Sequence, residues 1–432
     1  MRLQSIATAG AALSLMGLLP SVAGKAEAVQ LSRVADINPG LRDSFPGGFT
    51  VFDNALYFSA NDEVNGYELW KYDGTTASLV ANINSSSGSF PNWLTVFDKA
   101  LYLSADDGVN GYEVWKYDGT TASLVADINP GIGNHFPLGS SFPNYLTVFN
   151  DALYFSANDG VHDAQLWKYD GTNASLVANI NSSGSSSPGS LIVFDKALYF
   201  QASDGVHGDE LWKYDGTTAS LVADISPGLG ASFPTDLTVF DNALYFNAND
   251  GLHGQELWKY DGTTASLVAD INPGFRGSSP FYFTVFNNAL YFRADDGVHG
   301  QELWKYDGTT ASFVADINPG FRDSYPLDLT VFNNALYFAA DKDAGNGSLW
   351  KYDGTTASLV ADINLSELTV FDNALYFNGD DGVNGYELWR LEPDKLTSVP
   401  EPASTFGLLP FAAFAAGSML KRKQKKQLNS AS

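Results

Sequence analysis

The hexapeptide WKYDGT occurs seven times, beginning at Trp70, Trp115, Trp167, Trp212, Trp258, Trp304 and Trp350. An eighth Trp, Trp389, is followed instead by Arg390, Leu391, Glu392 and Pro393. The eight are spaced by 45, 52, 45, 46, 46, 46 and 39 residues. A period of this length marks an array whose unit is one supersecondary element, unable to bury its apolar surface without its neighbours. A ninth Trp, Trp93, falls outside the period.

One unit runs from Leu237 to Ile271. It reads LTVF, a turn at Asp241-Asn242, ALYFNA, a loop NDGLHGQ, ELWKY, a turn at Asp261-Gly262, and ASLVADI. The pattern predicts four short antiparallel strands, and two-residue Asp-Asn and Asp-Gly connections suit type I′ hairpins, whose central residues need positive φ. Apolar residues fall on both parities, as in Leu244-Tyr245-Phe246, so both faces of the sheet are covered. Blades stacked around an axis meet that requirement.

The longest and most variable connection follows ASLVADI, as in NPGFRGSSPFY from Asn272 to Tyr282. Such a link suits the crossing from one blade's outer strand to the next blade's inner strand, making LTVF innermost and ASLVADI outermost. Each repeated Trp then sits on a third strand and packs between blades, a structural role with an upper bound of about 4–6 kcal/mol for burial. The eighth unit has LTVF, ALYF and ELW but no outer strand, whereas Leu31–Gly40 is an outer strand with no WKYDGT before it. The expected fold is all-β: an eight-bladed β-propeller of four-stranded antiparallel blades over residues 29–392. The N-terminal outer strand pairs with the last blade, closing the ring and leaving no sheet edge exposed.

The strand order resembles kelch-type repeats, although the kelch diglycine is missing. The combination of ELWKYDGT, ADINPG and LYF-x-A-x-DG, recurring from Leu31 to about Arg390, resembles the ELWxxDGT family of bacterial surface proteins. Departures occur at Val114, Gln165, Ser348 and in the truncated last unit. The resemblance implies a surface protein and brings no chemistry to particular residues.

Both ends read as addresses. Arg2, an apolar stretch from Ile6 to Val22 and Ala26-Glu27-Ala28 form a signal peptide over 1–28, so the mature chain is expected to begin near Val29. A linker over 393–404 carries VPEP, with Pro400, Glu401 and Pro402, and is followed by a sorting tail over 405–432. There an apolar run from Thr405 to Leu420 precedes the basic KRKQKK. This order resembles the PEP-CTERM sorting signal of Gram-negative bacteria and cyanobacteria. The resemblance implies processing by an exosortase and delivery to the cell surface or extracellular matrix, with the membrane met only through the tail beforehand.

The chain has 24 basic and 49 acidic residues. Seven of the basic residues but only two of the acidic ones lie before Val29 or from Val399 onward, so the propeller is more acidic than the whole. Such a surface repels nucleic acid and anionic membranes and attracts divalent cations. No cysteine is present, which excludes disulfides and thiol catalysis.

The loops between second and third strands collect the remaining polar chemistry. They carry Asp62, Asp107, Asp159, Asp204, Asp250, Asp296, Asp343 and Asp381, with glutamates at 68, 113, 210, 256, 302 and 387. Within one loop, Asp106, Asp107, Asn110 and Glu113, or Asp295, Asp296 and Glu302, supply the oxygen ligands that Ca²⁺ prefers. The bland reading is that Asp-Gly makes the turn. His162, His207, His253 and His299 recur at a position that Asn65, Asn110 and Asn384 hold in other units, which favours a turn role over a metal or catalytic one. Ala60-x-Asp62, Gly66 and Trp70 are spaced as in the tryptophan-docking motif of quinoprotein dehydrogenases, but here the motif spans a long loop. The order of a sialidase Asp box is not met. No phosphate loop or nucleophile elbow occurs, and near-identical units do not offer distinct residues in distinct roles. The sequence therefore points to a non-enzymatic binding, adhesion or structural module for polysaccharide or surface proteins, with Ca²⁺ as a bridging ion. The alternative is an extracellular carbohydrate-active or cofactor-dependent propeller enzyme.

Overall fold

A computed structural model describes residues 30–393 apart from 41, 132–138 and 343–346. The signal peptide, the sorting tail with Pro400, Glu401 and Pro402, and Asp343 lie outside the described residues. Thirty-two strands form eight four-stranded antiparallel sheets, and no helix occurs among the described residues. After β1 (Gln30–Arg33), blade 1 consists of β2 (Gly47–Phe52), β3 (Ala55–Asn61), β4 (Tyr67–Tyr72) and β5 (Ala77–Ala81). Blades 2 to 7 repeat it as β6–β9 (92–126), β10–β13 (144–178), β14–β17 (189–223), β18–β21 (235–269), β22–β25 (281–315) and β26–β29 (327–361). Blade 8 is β30 (Asn364–Phe371), β31 (Ala374–Asp380), β32 (Glu387–Glu392) and, outermost, β1.

The first strands of successive blades touch one another all the way round, and β30 touches β2, so LTVF is innermost and the ring is closed. Closure pairs the expected strands, with Leu31 opposite Leu391 and Arg33 opposite Trp389. Apolar layers fill the spaces between blades. In one, Phe194, Tyr199 and Leu211 of blade 4 meet Leu244, Phe246, Trp258 and Tyr260 of blade 5. The structure places Trp70, Trp167, Trp212, Trp304, Trp350 and Trp389 in the corresponding layers. All eight repeated indoles, Trp115 included, hold Nε1 buried with no hydrogen-bond partner among the described residues.

The Asp-Asn connections are two-residue turns with both residues at positive φ, 44° and 57° at Asp53 and Asn54. The Asp-Gly connections differ from expectation. Tyr72 pairs with Ala77, so the loop has four residues, Asp73-Gly74-Thr75-Thr76, and only Gly74 has positive φ. The reason is local hydrogen bonding. Asp73 Oδ1 accepts from the amides of Thr75 and Thr76 at 2.8 and 2.9 Å, which is an Asx turn that the following threonines make possible.

Two further devices bind the inner ring. In every blade the pairing of first and second strands breaks once near the start of the first, as between Asn144 and Thr147, which is a β-bulge. Just below it, hydroxyls of Thr50, Thr95, Thr147, Thr284 and Thr330 donate to a carbonyl of the next blade's inner strand, at 2.8–3.4 Å. Blade 4 has Ile192 there instead.

Candidate functional site

The crossovers and the loops between second and third strands open on one face of the ring, and six of the crossovers are anchored by the glutamate of ELW. Glu113 is fully buried. Its oxygens accept from Ile128 N, Ser141 N and Ser141 Oγ at 3.0, 3.0 and 2.6 Å. Glu68, Glu210, Glu256, Glu302 and Glu387 hold the same place, each bonded to the amide of the crossover's Ile and to the hydroxyl of a buried Ser. Blade 3 uses Gln165, whose Oε1 accepts from Ile180 N and Ser186 Oγ while Nε2 donates to three carbonyls. Burial pushes Glu113 and Glu302 up to about 7, against the pull of the donors around them, and raises the other four glutamates as well.

In this structure the oxygens of the expected calcium sets are engaged within their own loops and crossovers. Glu113 and Glu302 turn their oxygens to the crossover. Asp106 Oδ1 accepts from Gly108 N and Asp107 Oδ1 from the amides of Val109 and Asn110, while Asn110 Nδ2 donates to Asp107 Oδ2. Asp295 and Asp296 do the same for Gly297, Val298 and His299. Among the described residues no group of three or more His, Asp or Glu side chains is placed to hold a metal ion. The histidines act as the asparagines do. Nδ1 of His162, His207, His253 and His299 lies 2.7–2.8 Å from its own loop's aspartate. That bond holds the pKa of His207, His253 and His299 above the usual imidazole range.

What the repeats do not copy lies beside the axis on this same face. At the bulge of each inner strand one residue holds positive φ, and around the ring these are Gly48, Trp93, Tyr145, Ser190, Asp236, Tyr282, Asp328 and Glu367. Trp93 and Tyr145 have ring centroids 4.4 Å apart, and Trp93 Nε1 donates to Asn144 Oδ1 at 2.9 Å. Trp93 is 37% exposed, while the eight repeated Trp residues are half-buried or buried. The acidic members reach round to the next blade. Asp236 Oδ2 accepts from Tyr282 N, Asp328 Oδ2 from Glu367 N and Glu367 Oε2 from Gly48 N, which satisfies the inward edge of three inner strands. Burial at the axis raises the pKa of all three carboxyls.

A second uncopied position underlies this ring. Facing the bulges on the second strands are Ser59, Ser104, Ser156, Gln201, Asn247, Arg293, Ala339 and Asn378. The Arg293 guanidinium lies 5.0 Å from the ring centre of Tyr282 and 5.5 Å from that of Phe281, with Asp236 among the charges around it. Asn247 is fully buried, yet neither of its amide atoms has a partner among the described residues.

Outside the mouth, a Ser-x-Pro in seven crossovers places its middle residue at positive φ: Phe45, Phe90, Phe142, Ser187, Phe233, Ser279 and Tyr325. A large aromatic side chain at such φ is costly and is held only where the surroundings over-determine it. Three of these rings are stacked on a tyrosine at the start of a third strand or just before it, Phe45 on Tyr386, Phe90 on Tyr67 and Phe142 on Tyr112, at 5.0–5.5 Å. With Trp93 and Tyr145 they make blades 8, 1, 2 and 3 the aromatic side of the face. Asp236, Arg293 and Asp328 make blades 5 to 7 the charged side.

No protein-family model matches the sequence, and no curated protein matches it. Solved structures with a similar shape are distant in sequence. BamB from Moraxella catarrhalis is 13% identical over 84% of this chain and 99% of that one, with a TM-score of 0.47. The β-propeller domain of the Trilobed protease from Pyrococcus furiosus is 9% identical over 74% and 99%, with a TM-score of 0.46. Sqt1 of Saccharomyces cerevisiae is 11% identical over 83% and 97%, with a TM-score of 0.49. These likenesses lend no argument about what the mouth binds.

Proposed function

We propose that this propeller is an exported, surface-associated module that binds matrix polysaccharide at its axial mouth and does not turn it over. One observation carries the reading: eight nearly identical blades diverge where their inner strands reach one face. There Trp93, exposed and paired with the half-buried Tyr145, stands on the same ring as carboxylates, with a guanidinium beneath. Aromatic faces receive the apolar faces of sugar rings, and carboxylates accept from their hydroxyls. The signal peptide and the tail resembling PEP-CTERM support export and processing by an exosortase. The overall acidic charge supports a partner that is not a polyanion.

A glycan array probed with the mature chain, with and without EDTA, tests this. Retention that Trp93→Ala abolishes, with the glycan recovered unchanged, is the expected result. Release of a shortened product would overturn the non-enzymatic reading, and retention lost in EDTA would bring back a bridging cation. Binding by the variant equal to wild type would move the site away from the mouth.

A further inference from the structure

We infer that the mouth selects a saccharide bearing a protonated amine on an otherwise uncharged ring: an amino-sugar polymer rather than a uronic-acid polymer. This rests on the binding reading above and adds to it the charge of the ligand.

The inference comes from how charge is distributed round the ring. Asp236 is answered by Arg293, which lies against the rings of Phe281 and Tyr282 in the next blade. Asp328 and Glu367, in adjacent blades, interact with each other and have no cation against them among the described residues. Each spends one oxygen on the neighbouring blade's amide. The other oxygen of each has no hydrogen-bond partner among the described residues. Blade 1 follows with Gly48, the one position on the ring without a side chain, where an added Cβ would come near only Leu94 Cδ1, at 3.9 Å. Blades 2 and 3 then present Trp93 and Tyr145.

The order is therefore two uncompensated carboxylates, an open position and an aromatic pair. An ammonium group suits the first by charge-assisted hydrogen bonding and gains further from a nearby aromatic face. A uronate placed there meets like charge. Buried polar groups point independently to a polar ligand. Asn247 with both amide atoms, the Thr235 hydroxyl and Arg293 Nε are all without partners, and all lie beneath the mouth residues of blades 5 and 6. Hydroxyls of a sugar, or waters bridging to them, meet such unsatisfied donors and acceptors.

The test is calorimetric titration of the mature chain with glucosamine, N-acetylglucosamine and galacturonic acid oligomers of equal length. The amine form is expected to bind about tenfold more tightly than the N-acetylated form at low salt, with the preference shrinking as salt rises, and the uronate more weakly than either. Replacing both Asp328→Asn and Glu367→Gln should erase the tenfold preference, bringing the amine oligomer to the affinity of the N-acetylated one, while Trp93→Ala weakens both. Gly48→Trp should block both oligomers while lowering the melting temperature, because a side chain at φ 67° is strained even where an added Cβ meets only Leu94. Equal affinity for amine and N-acetylated forms, or tightest binding of the uronate, overturns the charge inference while saccharide binding stands. If no oligomer binds, both fall.

Discussion

The glutamate of ELW decides more than the tryptophan beside it. Glu113 holds the crossover by three hydrogen bonds from fully buried surroundings, so Glu113→Ala leaves the amide of Ile128 unmet and the amide and hydroxyl of Ser141 with only the Tyr112 carbonyl. At about 1–3 kcal/mol for an unmet buried donor, we expect a loss of roughly 2 kcal/mol in urea unfolding. Glu113→Gln should cost far less, because Gln165 does the same work in blade 3. The pH dependence has a definite sign. The folded carboxyl of Glu113 titrates at about 7, above its ordinary value of 4.5, so the native state holds more protons between these pH values. Its contribution is fully present below about pH 4.5 and is lost as pH rises through 7, so stability should fall across that window. The melting temperature followed from pH 4.5 to 8 checks this, and Glu113→Gln should flatten the slope. A slope of opposite sign would show that the hydrogen bonds outweigh burial. At the histidine position, His207→Asn should leave melting unchanged, since Asn65 makes the same bond to Asp62 at 2.7 Å. The turn role of this position was legible because histidine and asparagine alternate there. The glutamate's role was not, because its partner is a serine some twenty residues onward, in the crossover. A faint signal existed: the unit with Ser348 in place of the glutamate is also the one followed by a crossover without Ser-x-Pro.

Strand order, hairpin direction and the exchange of the outer strand follow from parity, turn residues and loop length, and the structure agrees with all three. What parity cannot reveal is a bulge, since one added residue shifts the pairing without altering the apolar pattern. That is why Trp93, the Trp outside the period, carried no meaning in the sequence, although it lies at the bulge that turns it to the axis. The Asp-Gly connection misled for a related reason, because the threonines after it lengthen the loop and give Asp73 amides to accept from. Its exposed Asp215, Asp307 and Asp353 counterparts are lowered to about 2 by bonds from the threonine hydroxyls and amides, so they stay ionised across the window in which the buried glutamates titrate. The Asp-Asn turns allow a sharper test. Blade 2 has Lys99 at φ 61°, where blade 1 has Asn54 at 57°. A left-handed backbone costs an ordinary residue about 1–2 kcal/mol and asparagine less. Lys99→Asn is therefore expected to raise stability by roughly 0.5–1 kcal/mol, read as a higher urea midpoint at unchanged m-value. A lower midpoint would mean that the lysine side chain contributes a contact worth more than the backbone strain.

At the scale of the molecule, near-identity of the blades is what makes the exceptions informative. A ring of copies places every equivalent position at one distance from the axis, so a residue free to vary in all eight units marks a circle. The mouth circle mixes aromatic, acidic and small side chains, and it lies nearest the axis. The same geometry makes the N-terminal strand indispensable. In sequence β1 is separated from its partner by the entire propeller, yet it covers Trp389 and Leu391, and Ile37 just after it donates its amide to Glu387 at 2.9 Å. Deleting residues 30–37 removes Leu31 and Ile37 from two apolar layers. It also exposes the edge of β32 and leaves Glu387 short of a donor within a buried site. Two aliphatic side chains, at about 1.5–3 kcal/mol each, together with the lost pairing, should lower the melting temperature by roughly 10 °C. The bared edge should also drive association, visible as dimers or larger species in size-exclusion chromatography. A peptide of residues 30–40 added in trans should restore both the melting temperature and the monomer, because it supplies the missing strand. Unchanged melting on deletion would mean that the ring is held by its inner-strand contacts alone, with the threonine belt and the axial carboxylates sufficient to close it.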